Sequence, residues 1–435
     1  MKQRLLSCFV TLALLHPGVA RAQNAPVVRS LTLEQATALG LAHNRALLAA
    51  VQDYHSAADN LRKTQSLLLP TLSLNSGLNG GVPSTNVVTA QAAGESGAVP
   101  SSWSVDPNVA MNYDLGIDGG KFAQIDMGRA RAEIAKLEIA RRQLTLRQSV
   151  AGAYYDLQSA EQQVRIAQQD ESNAAQSLKD TQILRQAGVS TVFEIQRAQV
   201  QLAAAQSALV NAQSQRYIAS CTLVQLLGLA PDETLDAVDP VKQAGRWTLS
   251  LDQTIARAIA QRPEAGQAKL QEQIAQAEGR LARAAGAPRM QLTAAADQLT
   301  FPAWASGYSA GVNLSMPFFD GGAAQAGVSA ADADLAAAQI RYDDAVSQLR
   351  LQVEQAYAQL TSSRATIATT AAALQEARDS LKSAQLRFEA GVGTQTDLIG
   401  AESDLSTADG NAIRAVLNYN RAIATLEALT GKVQG

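Results

Sequence analysis

The chain has 435 residues, with 36 basic and 39 acidic side chains and a net charge of −3 at pH 7. This balance argues against a nucleic-acid partner, because phosphate binding relies on clustered Lys and Arg. Beyond a short apolar run near its start, the chain has no stretch of 18 or more apolar residues. Membrane-spanning helices are therefore not expected, and a closed β-barrel is the remaining route into a bilayer.

Residues 1–22 are typical of a secretory signal peptide. Lys2 and Arg4 precede a short apolar core, and Ala20-Arg21-Ala22 supplies a small-x-small cleavage pattern. The mature chain is predicted to begin at Gln23, with three fewer basic residues and a net charge of about −6. Lipidation is not expected, because Cys8 precedes any complete apolar core.

Residues 23–230 are predicted to form the first of two repeats. Its helical segments are rich in Ala, Gln, Leu, Glu and Arg, which are good helix formers. In chain order we expect a helix from about Thr32 to Leu68, a strand pair at 71–80 and 102–114, a long helix over 119–187 and a helix over 191–227.

A linker is predicted over 231–248, before a second repeat at 249–435. This repeat is expected to contain a helix over 251–286, strands at 290–299 and 308–316, a long helix over 321–390 and a helix over 394–430. Its landmarks match those of the first repeat in order. The hexapeptide that begins at Leu31 matches the one at Leu249, and the pentapeptide at Ala187 matches the one at Ala390. This order predicts an internal duplication.

The long helices carry an apolar heptad, which is complete in the second copy: Val353, Leu360, Ile367, Leu374, Leu381 and Phe388. A seven-residue period predicts left-handed supercoiling against neighbouring helices. A helix of about 70 residues is about 105 Å long, and two half-length helices stacked end to end match it. Each repeat is therefore predicted to be a coiled-coil rod. The periodicity alone is equally compatible with an ordinary soluble helical bundle.

The strand pairs alternate polar and apolar residues over runs of about 9–11 residues, which suits a tilted strand that crosses a bilayer. Seven aromatic residues gather in and beside these segments, as in an interfacial belt: Trp103, Tyr113, Phe301, Trp304, Tyr308, Phe318 and Phe319. A spanning barrel needs at least about 8 strands, so four strands predict association with further copies of the chain. A small soluble sheet is the alternative.

Together these motifs resemble the TolC-like outer membrane efflux family. The resemblance is carried by the two helix openings, Leu69-Pro70 and Ala287-Pro288 before the strands, Pro317-Phe318-Phe319-Asp320-Gly321-Gly322 after them, and the turns at Gly188 and Gly391. It implies an α plus β membrane protein. A homotrimer would form a 12-stranded outer-membrane β-barrel, continuous with a periplasmic α-barrel of 12 helices that has the linker 231–248 near its equator.

The resemblance also implies a function. The protein would be a passive exit duct of a tripartite efflux or type I secretion system in a Gram-negative outer membrane, and it would export small toxic molecules or polypeptides. Its partners would be itself, outer-membrane lipid, a periplasmic adaptor protein and an inner-membrane transporter.

In this family, acidic residues near the periplasmic turns can ring the closed entrance. Asp397 matches that position, and Glu194 is its repeat partner. The alternative is that both are helix N-terminal acids favoured by the helix dipole. The turn residues are expected to contact the adaptor: Gly188, Val189, Thr191, Gly391, Val392, Gly393 and Thr394.

No motif for catalysis, cofactor binding or metal binding stands out. His43 and His55 are poorly spaced for a shared metal, and the Gly-Gly pairs lack the Gly-Lys-Ser/Thr of a phosphate loop. We therefore expect no enzyme activity and no cofactor, so that a partner supplies the energy for transport. The alternative function is a periplasmic coiled-coil adaptor or structural protein, which would need a single long hairpin beside a lipoyl-like β domain.

Overall fold

The structure is a computed structural model that describes residues 27–81, 102–188, 190–299 and 305–431. Its helices are α1 (Leu33–His43), α2 (Arg45–Gln65), α3 (Gly120–Gln186), α4 (Val192–Leu227), α5 (Leu251–Gln261), α6 (Pro263–Ala284), α7 (Ala323–Glu389) and α8 (Gln395–Leu429). Its strands are β1 (Val27–Leu31), β2 (Thr71–Gly81), β3 (Ser102–Asp114), β4 (Glu233–Ala237), β5 (Arg289–Leu299) and β6 (Ala305–Ser315). The predicted signal peptide lies outside the described residues.

The first helix of each repeat is divided, so the predictions of one helix from Thr32 to Leu68 and one over 251–286 are wrong. Asn44 separates α1 from α2, with an extended backbone at φ −62° and ψ 120°. Its side-chain oxygen accepts from the N–H of the third residue of α2, which replaces the lost helical bonding. In the second repeat the break falls at Arg262, because Pro263 begins α6 and cannot continue α5.

The two repeats begin their helices with the same local signals. Thr32 and Ser250 begin α1 and α5 with capping boxes. Gly119 and Gly322 precede the long helices α3 and α7 in the left-handed conformation, with φ 77° and 89°. Since that conformation is disfavoured for residues with a Cβ, glycine allows the chain to turn from strand into helix.

The long helices α3 and α7 set the length of the molecule. Each has 67 residues, which corresponds to about 100 Å. Helix α3 packs along α4, and α7 packs along α8. Helix α3 also contacts α2, α6 and α8, so it joins the two repeats. None of the helices in the described ranges combines the length and apolar character of a bilayer-spanning helix.

The predicted heptad is buried in its first half and less so towards the tip. Val353 and Leu360 are buried against α8, whereas Leu374 and Phe388 are half-buried in the single chain. A second buried cluster lies where α3 crosses α1, α4 and β4, and it includes Tyr154, Leu157, Leu223, Leu227 and Leu235.

The linker predicted over 231–248 contains a strand, which the sequence analysis did not predict. Strand β4 pairs in parallel with β1, near the start of the described chain. Asp239 accepts the Leu33 N–H at 2.7 Å, and its carboxylate lies 2.7 Å from the Tyr154 hydroxyl. Asn420 of α8 accepts the Ala244 N–H at 2.7 Å. The linker is therefore bound to both repeats. Burial raises the pKa of Tyr154, so the phenol keeps its proton.

Strands β2, β3, β5 and β6 form an antiparallel sheet in that order. Strand β6 begins at Ala305, three residues before the predicted start at Tyr308. The outer edges of β2 and β6 have no partner strand among the described residues. The sheet lies at one end of the long helices, and the turns between helices of a pair lie at the other.

Candidate functional site

The four-stranded sheet has one apolar face, which runs across all four strands. Residues directly opposite each other in adjacent strands lie on the same face. The register pairs Leu72 with Met111, Leu74 with Val109, Tyr113 with Leu292, Leu292 with Val312 and Met290 with Leu314. Leu72, Leu74, Val312 and Leu314 are 61–74% exposed in the single chain. Apolar residues with this exposure on a sheet indicate a surface that another apolar medium covers.

The opposite face of the same sheet is polar. The register pairs Thr71 with Asn112, Asn75 with Asn108, Asn108 with Asp297, Asn112 with Thr293 and Gln291 with Asn313. The Asn108 amide donates to the Asp297 carboxylate across the strands. A sheet that alternates apolar and polar residues in this way matches a barrel wall with lipid on one side and water on the other.

Exposed aromatic residues lie at the helix end of the sheet in the second repeat. Phe318 and Phe319, between β6 and α7, are 96% and 91% exposed. At the equivalent junction of the first repeat, the Lys121 ammonium lies 4.8 Å from the centre of the Tyr113 ring. The two junctions therefore differ in the side chains that they expose. Of the other predicted belt residues, Tyr308 is 94% exposed; Phe301, Trp304 and the side chain of Trp103 lie outside the description.

At the other end of the molecule, α3 and α4 are joined by a tight turn, the first tip. Gly188 has φ +76°. Thr191 caps α4, and its hydroxyl accepts the Glu194 N–H at 3.3 Å. The Glu194 carboxylate in return accepts the Thr191 N–H at 2.7 Å and the Ser190 hydroxyl at 2.5 Å. Val189 lies outside the described residues. Glu194 therefore closes the capping box of its own helix.

The second tip, between α7 and α8, repeats this geometry. Gly391 has φ +73°, and the Thr394 hydroxyl accepts the Asp397 N–H at 3.2 Å. The Asp397 carboxylate accepts the Thr394 N–H at 3.1 Å and the Thr394 hydroxyl at 2.7 Å. A Cβ on Gly393 would lie 3.0 Å from the backbone of α7, so glycine permits the close approach there. Val392 is 77% exposed at the apex.

Both predicted entrance acids therefore bond within their own turns. Hydrogen bonds from Ser190 and Thr191 lower the pKa of Glu194, and bonds from Thr394 lower the pKa of Asp397. Both carboxylates are charged at neutral pH. The structure shows the capping role that was the alternative interpretation of these acids; a role in closing the entrance stays a prediction.

Side chains join the two helix pairs near the tips. Gln395, the first residue of α8, donates to Thr181 Oγ1 at 2.7 Å and to Ser177 Oγ at 2.9 Å, both on α3. Arg197 of α4 donates to Thr396 of α8 at 2.8 Å. These contacts hold the start of α8 against the first pair, and an ion pair of 2.8 Å between Arg165 and Asp409 does the same further from the tips. We call the contacts near the tips the tip seam.

A groove of about 690 Å³ runs between α3, α4 and α8, and Arg197 of the tip seam is part of its lining. Asp170 of α3 and Glu402 of α8 line it, and the Ser406 hydroxyl donates to Asp170. Burial, with a smaller contribution from the Asp170 charge, raises the pKa of Glu402. Within the described ranges, no group of three or more His, Cys, Asp or Glu side chains is arranged to hold a metal ion.

The turn residues were predicted from the sequence, whereas the residues of the tip seam were not. Its members, among them Gln395, Thr181 and Arg197, occupy polar helix positions in segments rich in Gln and Ala, where no spacing or motif distinguishes them. Only the packing of α8 against α3 and α4 identifies them.

Comparison with known proteins identifies the family of this chain. The sequence matches the family of outer membrane efflux proteins over residues 38–229 and 254–432. It is 28% identical over 289 residues to protein CyaE of Bordetella pertussis, which covers 64% of this chain and 60% of CyaE. It is 27% identical over 292 residues, with the same two shares, to the pyoverdine export outer membrane protein OpmQ of Pseudomonas aeruginosa. The chain spans about three fifths of the length of these curated relatives.

Solved structures agree on the fold. The outer membrane protein VceC of Vibrio cholerae has a TM-score of 0.78 and 17% identity, over 92% of this chain and 96% of that one. With long paired helices and a four-stranded antiparallel sheet in the described chain, the predicted fold class is confirmed.

Proposed function

Because this chain belongs to the outer membrane efflux protein family, we propose that it is the passive outer-membrane exit duct of a tripartite efflux or type I secretion system. The proposal rests on the two-faced sheet, whose outer edges have no partner strand in the part of the chain that the structure describes. An apolar face and a polar face suit a wall between lipid and a water-filled lumen. A mature chain that begins at Gln23, after the predicted signal peptide, would be delivered to that membrane.

The proposed assembly is a homotrimer. The β6 edge of one copy pairs with the β2 edge of the next, and three copies close a barrel of twelve strands, which leaves no edge exposed. The helix pairs of three copies form the periplasmic tunnel below it. The domain division at 23–230, 231–248 and 249–435 belongs to the same proposal, with the linker at the equator.

The proposed partners at the tips are a periplasmic adaptor and, through it, an inner-membrane transporter. Apolar side chains are exposed around both turns, which favours docking of another protein. Val192 is 54% exposed, Phe193 70% and Val392 77%. The duct itself carries out no catalysis, and the transporter supplies the energy. The proposed cargo is small toxic molecules or polypeptides; OpmQ, a relative, is named for pyoverdine export.

Native mass in detergent tests the assembly. We expect a trimer from a purified outer-membrane fraction. A soluble periplasmic monomer would contradict the proposal and favour the periplasmic adaptor.

Two neighbouring substitutions test the two faces of the sheet. Val312→Arg places a charge on the apolar face, which costs about 2–4 kcal/mol at the middle of a bilayer, so it should reduce assembly in the membrane. Asn313→Arg adds the same side chain to the polar face and should assemble normally. Equal yields of trimer from both variants would contradict the assignment of the Val312 face to lipid.

Gating at the tips is part of the proposal. The duct opens when the helix pairs separate at Gly188 and Gly391, with Glu194 and Asp397 at the entrance. Cysteines at Glu194 and Asp397, joined by a bifunctional reagent, should hold the duct closed, and reductant should restore conductance if the reagent is cleavable. The reduced variant is the matched control, since it has lost the same capping carboxylates. Conductance that cross-linking leaves unchanged would place the gate elsewhere.

A further inference from the structure

The charge of Asp297 is conspicuous on the polar face of the sheet. It lies near the far end of β5, eight residues beyond Arg289, or about 26 Å along the strand. The Asn108 amide holds its carboxylate from one side. On the other side its register partner is Gly307, at which an added Cβ would meet no atom within 4 Å. The carboxylate is exposed and borders open space.

The other charged side chains that the structure describes on this face lie at the helix end, where each has a hydrogen-bonding or ionic contact. Arg289 forms an ion pair of 3.2 Å with Asp118. Asp114 accepts the Gly116 N–H at 2.7 Å, and the Lys121 ammonium binds the Asp114 carbonyl. Among the side chains that the structure describes beyond the helix end of this face, Asp297 is the only charged one, and no cation pairs with it.

We propose that Asp297 makes the outer part of the duct selective for cations, and that cationic or zwitterionic solutes are favoured over anions there. This inference rests on the proposed function, because it needs the polar face to line the lumen of a trimer. Three copies would place three carboxylates at one level, each held towards the water by Asn108.

The size of the effect follows from the geometry of a twelve-stranded barrel. Strands about 4.8 Å apart and tilted by about 40° give a radius of about 12 Å, which places the carboxylates about 8 Å from the axis. At 10 mM salt the Debye length is about 30 Å, and three charges at that distance enrich a monovalent cation on the axis about sevenfold. At 1 M salt the Debye length is about 3 Å, and the enrichment falls to about 1.2-fold.

Reversal potentials of the purified full-length protein in planar bilayers test the proposal. Under a gradient from 10 to 100 mM KCl, the ratio of K⁺ to Cl⁻ permeability should fall several-fold in Asp297→Asn. Asp297→Glu keeps the charge and should keep the ratio, which separates a charge effect from a change of shape. Asp232→Asn is the matched control, because it removes one exposed carboxylate outside the sheet.

All of these variants keep the tip acids, so a difference between Asp297→Asn and Asp232→Asn isolates the contribution of Asp297. Near 1 M salt the difference should almost vanish. Equal permeability ratios for the two variants at low salt would overturn the proposal. A protein that forms no conducting pore at all would instead contradict the proposed function.

Discussion

Replacing Gln395 by Ala should shift the duct towards its open state. The Gln395 side chain donates to Thr181 at 2.7 Å and to Ser177 at 2.9 Å, and so it ties the start of α8 to α3. If α8 leaves α3 when the tips separate, both hydrogen bonds stabilise only the closed state. Their loss therefore changes the equilibrium between the two states and not merely the stability of the fold.

The expected size can be worked out from these contacts. A neutral hydrogen bond contributes about 0.5–1.5 kcal/mol net. Thr181 is 2% exposed, but its hydroxyl also bonds to the Ser177 carbonyl at 2.8 Å, so it is not left unpaired in the variant. The two bonds together should contribute about 1–2 kcal/mol, which corresponds to a five- to thirtyfold rise in the ratio of open to closed duct.

Single-channel recording of purified protein in planar bilayers measures that ratio as open probability. Gln375→Ala is the matched control, because Gln375 donates to Asp379 within its own helix α7 at 3.1 Å and bridges no helix pair. Equal open probabilities for the two variants would refute the reasoning, since the contacts to α3 would then have no part in closing the duct.

Three further predictions concern stability, each measured by thermal unfolding of the assembled protein. The pKa of Glu138 is lowered to about 2, chiefly by hydrogen bonding to an arginine one turn on. The stabilisation by the Glu138 carboxylate should thus be complete above about pH 4.5 and lost towards pH 2. Glu138→Gln should therefore lower the free energy of unfolding by about 1 kcal/mol at pH 7 and have little effect near pH 2. Tyr154→Phe removes the hydroxyl beside Asp239 and should lower the free energy of unfolding by about 1.5–3 kcal/mol. An unchanged unfolding temperature would show that the hydrogen bonds between Tyr154 and the linker do not stabilise the fold. Gly228 and Gly188 have similar backbone conformations, with φ +70° and +76°. Gly228→Ala should nevertheless destabilise the protein far more than Gly188→Ala, because a Cβ at Gly228 would lie 2.4 Å from the backbone oxygen of His43. Equal effects of the two substitutions would contradict this prediction.

The candidate site could be located from sequence but not assembled from it. The turns near Gly188 and Gly391 were located by the repeated pentapeptides that contain them, and the resemblance to the efflux family singled out the acids Glu194 and Asp397. The sequence left two interpretations of these acids open: a ring at the closed entrance, or N-terminal acids that stabilise their own helices. The structure shows carboxylates that close their own capping boxes, and the contacts between helix pairs come from residues with no motif at all.

The sequence by itself determined the duplication, the long paired helices and the alternation of the strands, because each depends on residues a few positions apart. The tertiary structure decided the break at Asn44, whose amide donates to Leu226, 182 residues away. It also decided the pairing of β1 with β4 and the attachment of Gln395 to α3, 214 residues away at Thr181. Such contacts depend on how distant segments pack, and helices rich in Ala and Gln offer many near-equivalent polar positions. Local pattern therefore fixes which elements form, and packing alone selects which of their side chains meet.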